Sequence, residues 1–284
     1  MDIKRIAALC VVSGGVLAAA VLVLVSGAEA GEETVCTVIA NASDGAVLLE
    51  EGDCARRVTP ASTFKVALAA MGYDAGILTD AHSPRLPYEE GYPNWGGDAW
   101  RQPADPARWM RYSVVWYSQQ MTPQLGLQRL EAYARDFGFG NADLSGDDGK
   151  GNALTDSWID SSLRISPKEQ IAFLTRLRNR ALPISAEAAD KTIGLMPLYQ
   201  AGDGWTVHGK TGSALIRGER KSGGRTPAVG WFVGWAEKGD RTLVFARLNH
   251  YEGDWNGIPG LLTRTGLLDD FAGLATQSGN TSAQ

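Results

Sequence analysis

A serine and a lysine three residues apart, Ser62 and Lys65, stand at the head of an apolar run, Val66-Ala67-Leu68-Ala69-Ala70-Met71. Pro60 suits the first turn of a helix, where its missing N–H costs nothing. Residues i and i+3 share one helix face, so a hydroxyl and an amine meet at the positive end of a helix dipole, beside unpaired backbone N–H groups. Such a grouping holds a nucleophile, a base and donors for an oxyanion. The same short pattern also fits an N-cap serine followed by a solvated lysine. Two features favour chemistry. No other serine in the chain has a lysine three residues on. The apolar flanks would bury Lys65, and desolvation favours the neutral amine that a base requires.

A second grouping is His208-Gly209-Lys210-Thr211-Gly212-Ser213, between strand-like segments. It sets a cation, hydroxyls and a backbone N–H along a sheet edge, and its glycines admit close approach of another chain or a ligand. Gly204-x-x-x-x-Gly209-Lys210-Thr211 also matches the phosphate-loop pattern. Its interior, Trp205-Thr206-Val207-His208, is bulky and strand-like, and no helix is expected after Thr211, so a phosphate cradle is rejected. Ser113-Val114-Val115 lies in a helical, aromatic stretch with Trp109, Tyr112, Trp116 and Tyr117, where a buried serine ordinarily bonds a carbonyl one turn back. Phe139-Gly140-Asn141 reads as a helix terminator. Asn141-x-Asp143-x-Ser145-Gly146 faintly suggests a calcium loop but lacks the closing glutamate. Gly-x-Ser-x-Gly, His-Glu-x-x-His and Cys-x-x-Cys are absent, and the three histidines do not cluster. A zinc enzyme or a Ser–His triad is therefore disfavoured, and no metal is expected.

The elements that must position these groups sit in a chain of 284 residues, 44% hydrophobic and 21% charged. That length supports a large core. A formal net charge of −5 argues against a nucleic-acid partner. Lys4 and Arg5, the apolar stretch Ile6–Val25 and Ala28-Glu29-Ala30 read as a signal peptide cleaved after Ala30, leaving no stable membrane partner. The apolar run is long enough to span a bilayer, so an uncleaved anchor is the alternative. Cys10 falls within this segment. Cys36 and Cys54 then remain in an exported chain, where a disulfide across a hairpin is favoured over two separate buried thiols.

Thr34–Ala40 and Ala46–Glu50 read as strands joined by Asn41-Ala42-Ser43-Asp44-Gly45. Residues 80–106, rich in Pro, Gly, Trp and Tyr, read as an ordered loop region of the kind where functional sites collect. Helices are expected at Arg108–Gln119, Pro123–Phe137, from a capping box at Ser166-Pro167-Lys168-Glu169 to about Asn179, and from Ala186 to about Tyr199. Trp205–His208, Ala228–Ala236 and Arg241–Asn249 are strand-like. A last helix covers about Gly260–Ala275, followed by a polar tail. Strands at both ends and helices between them predict an α+β fold: an antiparallel sheet of N- and C-terminal segments with an inserted helical subdomain. The expected division is one catalytic domain over 31–284, with an α/β part at about 31–75 and 190–284 and a helical part at about 76–189.

Taken in order, Ser62-Thr63-Phe64-Lys65, Ser113-Val114-Val115, Phe139-Gly140-Asn141, Trp158 and Lys210-Thr211-Gly212 resemble the penicillin-recognising serine enzymes, most closely the class D β-lactamases. Trp231-Phe232-Val233-Gly234-Trp235 looks like that family's sheet strand. Val115 stands where related hydrolases and cell-wall transpeptidases carry asparagine. Phe139 departs from the tyrosine common in the family.

The resemblance implies that Ser62 attacks a lactam carbonyl and that Lys65, carried as an N-carboxylated lysine made with CO2, is the general base. Trp158 would hold that carbamate, with Phe64 and Val115 as apolar neighbours; among nine tryptophans, Trp158 also reads as a core indole. Ser113 and Lys210 would relay a proton to the leaving nitrogen. The N–H groups of Ser62 and Ser213 would form the oxyanion hole, and Thr211, Ser213 and Arg264 would bind the substrate carboxylate. The implied function is periplasmic hydrolysis of small-molecule β-lactams, penicillins and oxacillin-like compounds, giving antibiotic resistance. Alternatives are the drug-sensing domain of a receptor that stays acylated, and a cell-wall peptidase or transpeptidase. The loops at Trp95–Trp100 and Ser213–Arg220 are expected to shape the substrate range.

Overall fold

A run rich in β-branched residues and a shorter one that opens Val47-Leu48-Leu49 flank a turn-forming stretch and pair as an antiparallel hairpin, β1 (Gly31–Asn41) with β2 (Val47–Gly52). Cys36 and Cys54 are joined in a disulfide that closes this hairpin, and both are buried. The computed structural model describes residues 31–216 and 225–281. The expected leader with Cys10, part of the Ser213–Arg220 loop and the end of the polar tail lie outside the described residues.

The sheet is completed from the C-terminal part of the chain by β3 (Leu198–Ala201), β4 (Trp205–Leu215), β5 (Ala228–Lys238) and β6 (Arg241–Glu252). All neighbours are antiparallel, in the order β2-β1-β6-β5-β4-β3. In central β5, every residue from Ala228 to Ala236 is buried, as expected of a strand covered on both faces. Trp231, Val233 and Trp235 face the main core, and Phe232 and Ala236 face a second core beneath the C-terminal helix. That helix, α8 (Pro259–Thr281), puts Leu267 and Phe271 against Trp205 and Phe245.

The opposite face is covered by α1 (Phe64–Asp74), buried from Phe64 through Tyr73. Further helices are α2 (Pro106–Tyr112), α3 (Val115–Leu125), α4 (Leu127–Phe137), α5 (Ala153–Asp156), α6 (Pro167–Arg178) and α7 (Ala186–Gly194). Ser166 and Glu169 form the expected capping box on α6. The sheet thus comes from both ends of the chain with helices inserted between, as the sequence predicts. Helix α6 lies within the inserted stretch but packs on β1 and β6.

Several boundaries differ from expectation. The helix expected over Arg108–Gln119 breaks at Ser113, which is left-handed at φ 60° and ψ 33°. Helix α2 also begins earlier, because Asp105 accepts from Arg108 N and Pro106 occupies the first turn. Pro123 opens no helix; it lies inside α3, and the break falls at Gly126, whose φ is 75°. Helix α7 ends at Gly194, and Leu198–Ala201 is a strand rather than the helix expected to Tyr199. Pro197 lacks an N–H and biases its predecessor away from helical geometry. Strand β4 runs without interruption through Lys210-Thr211-Gly212, so the phosphate-loop pattern falls on extended chain.

Candidate active site

Ser62 sits in a single 3-10 turn, Ala61–Thr63, immediately before α1. The turn is anchored on several sides. Thr63 Oγ1 donates to Pro60 O at 2.7 Å and accepts from Gln170 Nε2 at 2.9 Å. Trp231 Nε1 donates to Thr59 O at 2.9 Å, and Thr59 Oγ1 donates to Trp158 O at 2.8 Å. Ala61 takes a φ of 48°, a left-handed conformation that disfavours a side chain. Fixed contacts around the nucleophile hold a backbone that would otherwise relax.

Three residues on, at the start of α1, Lys65 Nζ lies 3.2 Å from Ser62 Oγ, and the lysine has no exposed surface. Burial, and after it the charge of Lys210, hold the Lys65 amine well below the ordinary lysine value. Phe64 packs its ring against Phe139 and Trp158, with centroids 5.1 and 5.7 Å away. Phe139 thus fills an apolar position, as its loss of the phenol implies. Trp158 is fully buried, and its indole Nε1–H has no hydrogen-bond acceptor among the described residues. An orphan donor in a dry core is costly and marks a place where an added oxygen would be held.

Across from Ser62, the left-handed turn at Ser113 presents its hydroxyl to Lys210. Lys210 Nζ donates to Ser113 Oγ at 2.8 Å and to Thr211 O at 2.9 Å. Burial pushes Lys210 down to about 7. Both amines therefore reach neutral forms far more readily than surface lysines do. Ser213 Oγ accepts from Gly260 N at 2.8 Å, at the first turn of α8. Its own O–H is left to donate.

Ser62, Ser113, Val115, Thr211 and Ser213 line one cavity of about 480 Å3, with Lys65 and Lys210 buried beside them. Trp158 lies in the packed wall behind Phe64. Gly212 brings β4 against the nucleophile turn: a Cβ there would stand 2.9 Å from Pro60 O and 3.1 Å from Thr63 Cγ2. Arg264 is not brought to this cavity. Its guanidinium lies 5.0 Å from the centroid of the Tyr199 ring on β3, and α8 and its approach instead give the wall Ile258 and Leu261. Arg264 lies nearly one turn beyond Leu261 along α8, and its guanidinium packs on β3 there instead of reaching the cavity.

The cavity also contains residues that the sequence reading did not single out individually. Trp95 and Trp100, from the aromatic loop, form one wall, with centroids 5.2 Å apart. Trp100 Nε1 donates to Tyr112 O, and Trp116 Nε1 donates to Trp100 O, both at 2.8 Å. Tyr112 and Arg111, at the end of α2, complete that side. The aromatic density of residues 80–106 pointed to this wall; nothing in the sequence singled out Arg111.

Comparisons with known proteins agree with this geometry. Residues 35–257 match the penicillin binding protein transpeptidase domain family. The chain is 49% identical over 213 residues to β-lactamase OXA-9 of Klebsiella pneumoniae, covering 75% of this chain and 78% of that protein. It is 36% identical over 202 residues to β-lactamase OXA-1 of Escherichia coli, covering 70% of each. The crystal structure of OXA-427 class D β-lactamase matches with a TM-score of 0.76 at 40% identity, over 87% of this chain and 99% of that chain.

Proposed function

The chain belongs to the class D serine β-lactamases, within the penicillin-binding transpeptidase domain family, and on that premise we propose how its own residues hydrolyse a β-lactam. The observation that carries the reading is the pairing of Ser62 Oγ with a fully buried Lys65 Nζ at 3.2 Å, opposite a Ser113–Lys210 pair at 2.8 Å.

Ser62 Oγ attacks the lactam carbonyl carbon and gives up its proton on the Lys65 side. The N–H groups of Ser62 and Ser213 receive the oxyanion; comparable donors are worth roughly 3 kcal/mol in other hydrolases. The carbon–nitrogen bond breaks, and the ring nitrogen takes a proton from the Ser113 hydroxyl, which Lys210 replaces. An amine whose value lies at about 7 is suited to give and regain that proton near neutrality. The proton held on the Lys65 side is returned through solvent to Lys210; water then attacks the ester carbonyl, losing its proton on the Lys65 side, and Ser62 Oγ takes that proton as its bond to the carbonyl carbon breaks and the ring-opened acid is released. Thr211 and Ser213 donate hydroxyl hydrogen bonds to the substrate carboxylate. Arg264 has no part in this scheme, since its guanidinium rests on Tyr199.

The residues around Lys65 fit the carbon dioxide adduct that the family implies. A neutral amine is the form that adds CO2, and burial pushes Lys65 towards it, while Trp158 Nε1–H is a buried donor without an acceptor among the described residues. Bound there as a carbamate, CO2 would supply an oxygen base stronger than a carboxylate and weaker than a free amine. The aromatic wall of Trp95, Trp100 and Tyr112 and the apolar edge of Ile258 and Leu261 suit penicillins and oxacillin-like compounds with bulky apolar groups. The Cys36–Cys54 disulfide suits export to an oxidising compartment, where such turnover would protect a bacterium from the antibiotic. The test is Ser62→Ala. It is expected to lower nitrocefin turnover by at least about 10^3, and unchanged turnover would overturn the assignment.

A further inference from the structure

We propose that Arg111 is the guanidinium that recognises the substrate's carboxylate, a specificity-determining residue of the cavity wall; this rests on the β-lactam reading above. Among the described residues lining the cavity, Arg111 carries the one charged side chain. Among the described residues, no carboxylate lines the cavity with it and no ion pair ties it down. Lys65 and Lys210 are buried behind the wall and reach neutrality readily, whereas a guanidinium stays charged. Arg264, the other arginine in reach of the argument, is engaged with Tyr199.

Substrate chemistry gives the direction. In a β-lactam antibiotic, the carbon bearing the carboxylate is bonded to the ring nitrogen. The proposed chemistry puts that nitrogen at Ser113, and Arg111 lies two residues before Ser113, in the last turn of α2. Its Cζ stands 5.7 Å from the centroid of the Tyr112 ring, which borders the same cavity. An aromatic face orients a guanidinium without neutralising it, leaving its fork of donors for a planar anion. Thr211 and Ser213 then offer hydroxyls from the opposite side of the cavity.

The experiment uses the mature enzyme and benzylpenicillin, with kcat and kcat/KM measured from low to high salt. Arg111→Gln is expected to lower kcat/KM about tenfold at low salt, to leave kcat within about twofold, and to flatten the salt dependence seen in the wild type. Arg111→Lys, which restores the charge but not the fork, should recover part of the loss. Arg101→Gln removes an equal charge from the exposed neighbouring loop and serves as the control. Arg111→Gln with wild-type kcat/KM and salt response overturns the proposal. So does an equal loss in Arg101→Gln, which would mean a general field effect, or a loss confined to Arg264→Gln. Failure of the wild-type enzyme to open benzylpenicillin would instead refute the β-lactam reading, so the two failures are distinct.

Discussion

At the scale of residues, the two lysines of the site are coupled by charge. After burial, the second influence holding Lys65 low is the positive charge of Lys210. Removing that charge with Lys210→Ala should therefore raise the Lys65 value towards an ordinary lysine and shrink its neutral fraction at any given pH. Adduct formation with CO2 needs the neutral amine, so it should require more alkaline solution. With 13C-bicarbonate, the carbamate signal in NMR is expected to reach half-height at higher pH in Lys210→Ala than in the wild type. An unchanged midpoint, or no carbamate signal in either protein, would count against this coupling. Of the site's residues, Ser62 and Lys65 were the most legible, because i and i+3 on a helix is a local rule. Arg111 was not, since nothing in Arg-Trp-Met-Arg-Tyr distinguishes a cavity wall from a solvated face.

At the scale of elements, the site is an alignment of three backbones: the Ser62 turn, the Ser113 turn and β4. Strand β4 reaches the nucleophile only because Gly212 has no side chain, with Pro60 and Thr63 on one side and Gly260 beyond. Gly212→Ala is expected to push the strand away from the turn and misplace the oxyanion donors. Displacements of about 1 Å can cost about 10^2 in rate, so kcat/KM should fall by that order while the melting temperature drops by only a few degrees. A parallel loss of stability and activity would show that the contact is merely structural. The break at Ser113 was invisible in sequence, since Tyr-Ser-Val contains neither glycine nor proline and the partner of the serine hydroxyl, Lys210, lies on a distant strand. The strand at Leu198 was missed although Pro197 announced it. The sheet itself was legible because Val, Trp and Phe recur in β5 and Thr242-Leu243-Val244-Phe245 stand together in β6.

At the scale of the whole molecule, a dry site is maintained against stability. In the fold, Lys210 falls from 10.5 to about 7, so between those values the unfolded chain binds more protons than the folded one. Stability contributed at this position therefore rises with pH across that window, and the full burden lies below about 7. Lys210→Met should raise the melting temperature most at and below neutrality, with the gain fading as pH approaches 10.5; a gain independent of pH would sink this account. The fold that carries the burden is closed late in the chain. Strand β1 has β2 on one side and β6 on the other, and Arg247 Nε donates to Thr37 Oγ1 at 3.0 Å across 210 positions. Once the chain is in an oxidising compartment, the Cys36–Cys54 bridge gives the opening strand a tethered companion that does not depend on β6. The first ribbon of the sheet can thus wait, already paired on one flank, as the template on which the rest of the protein is laid down.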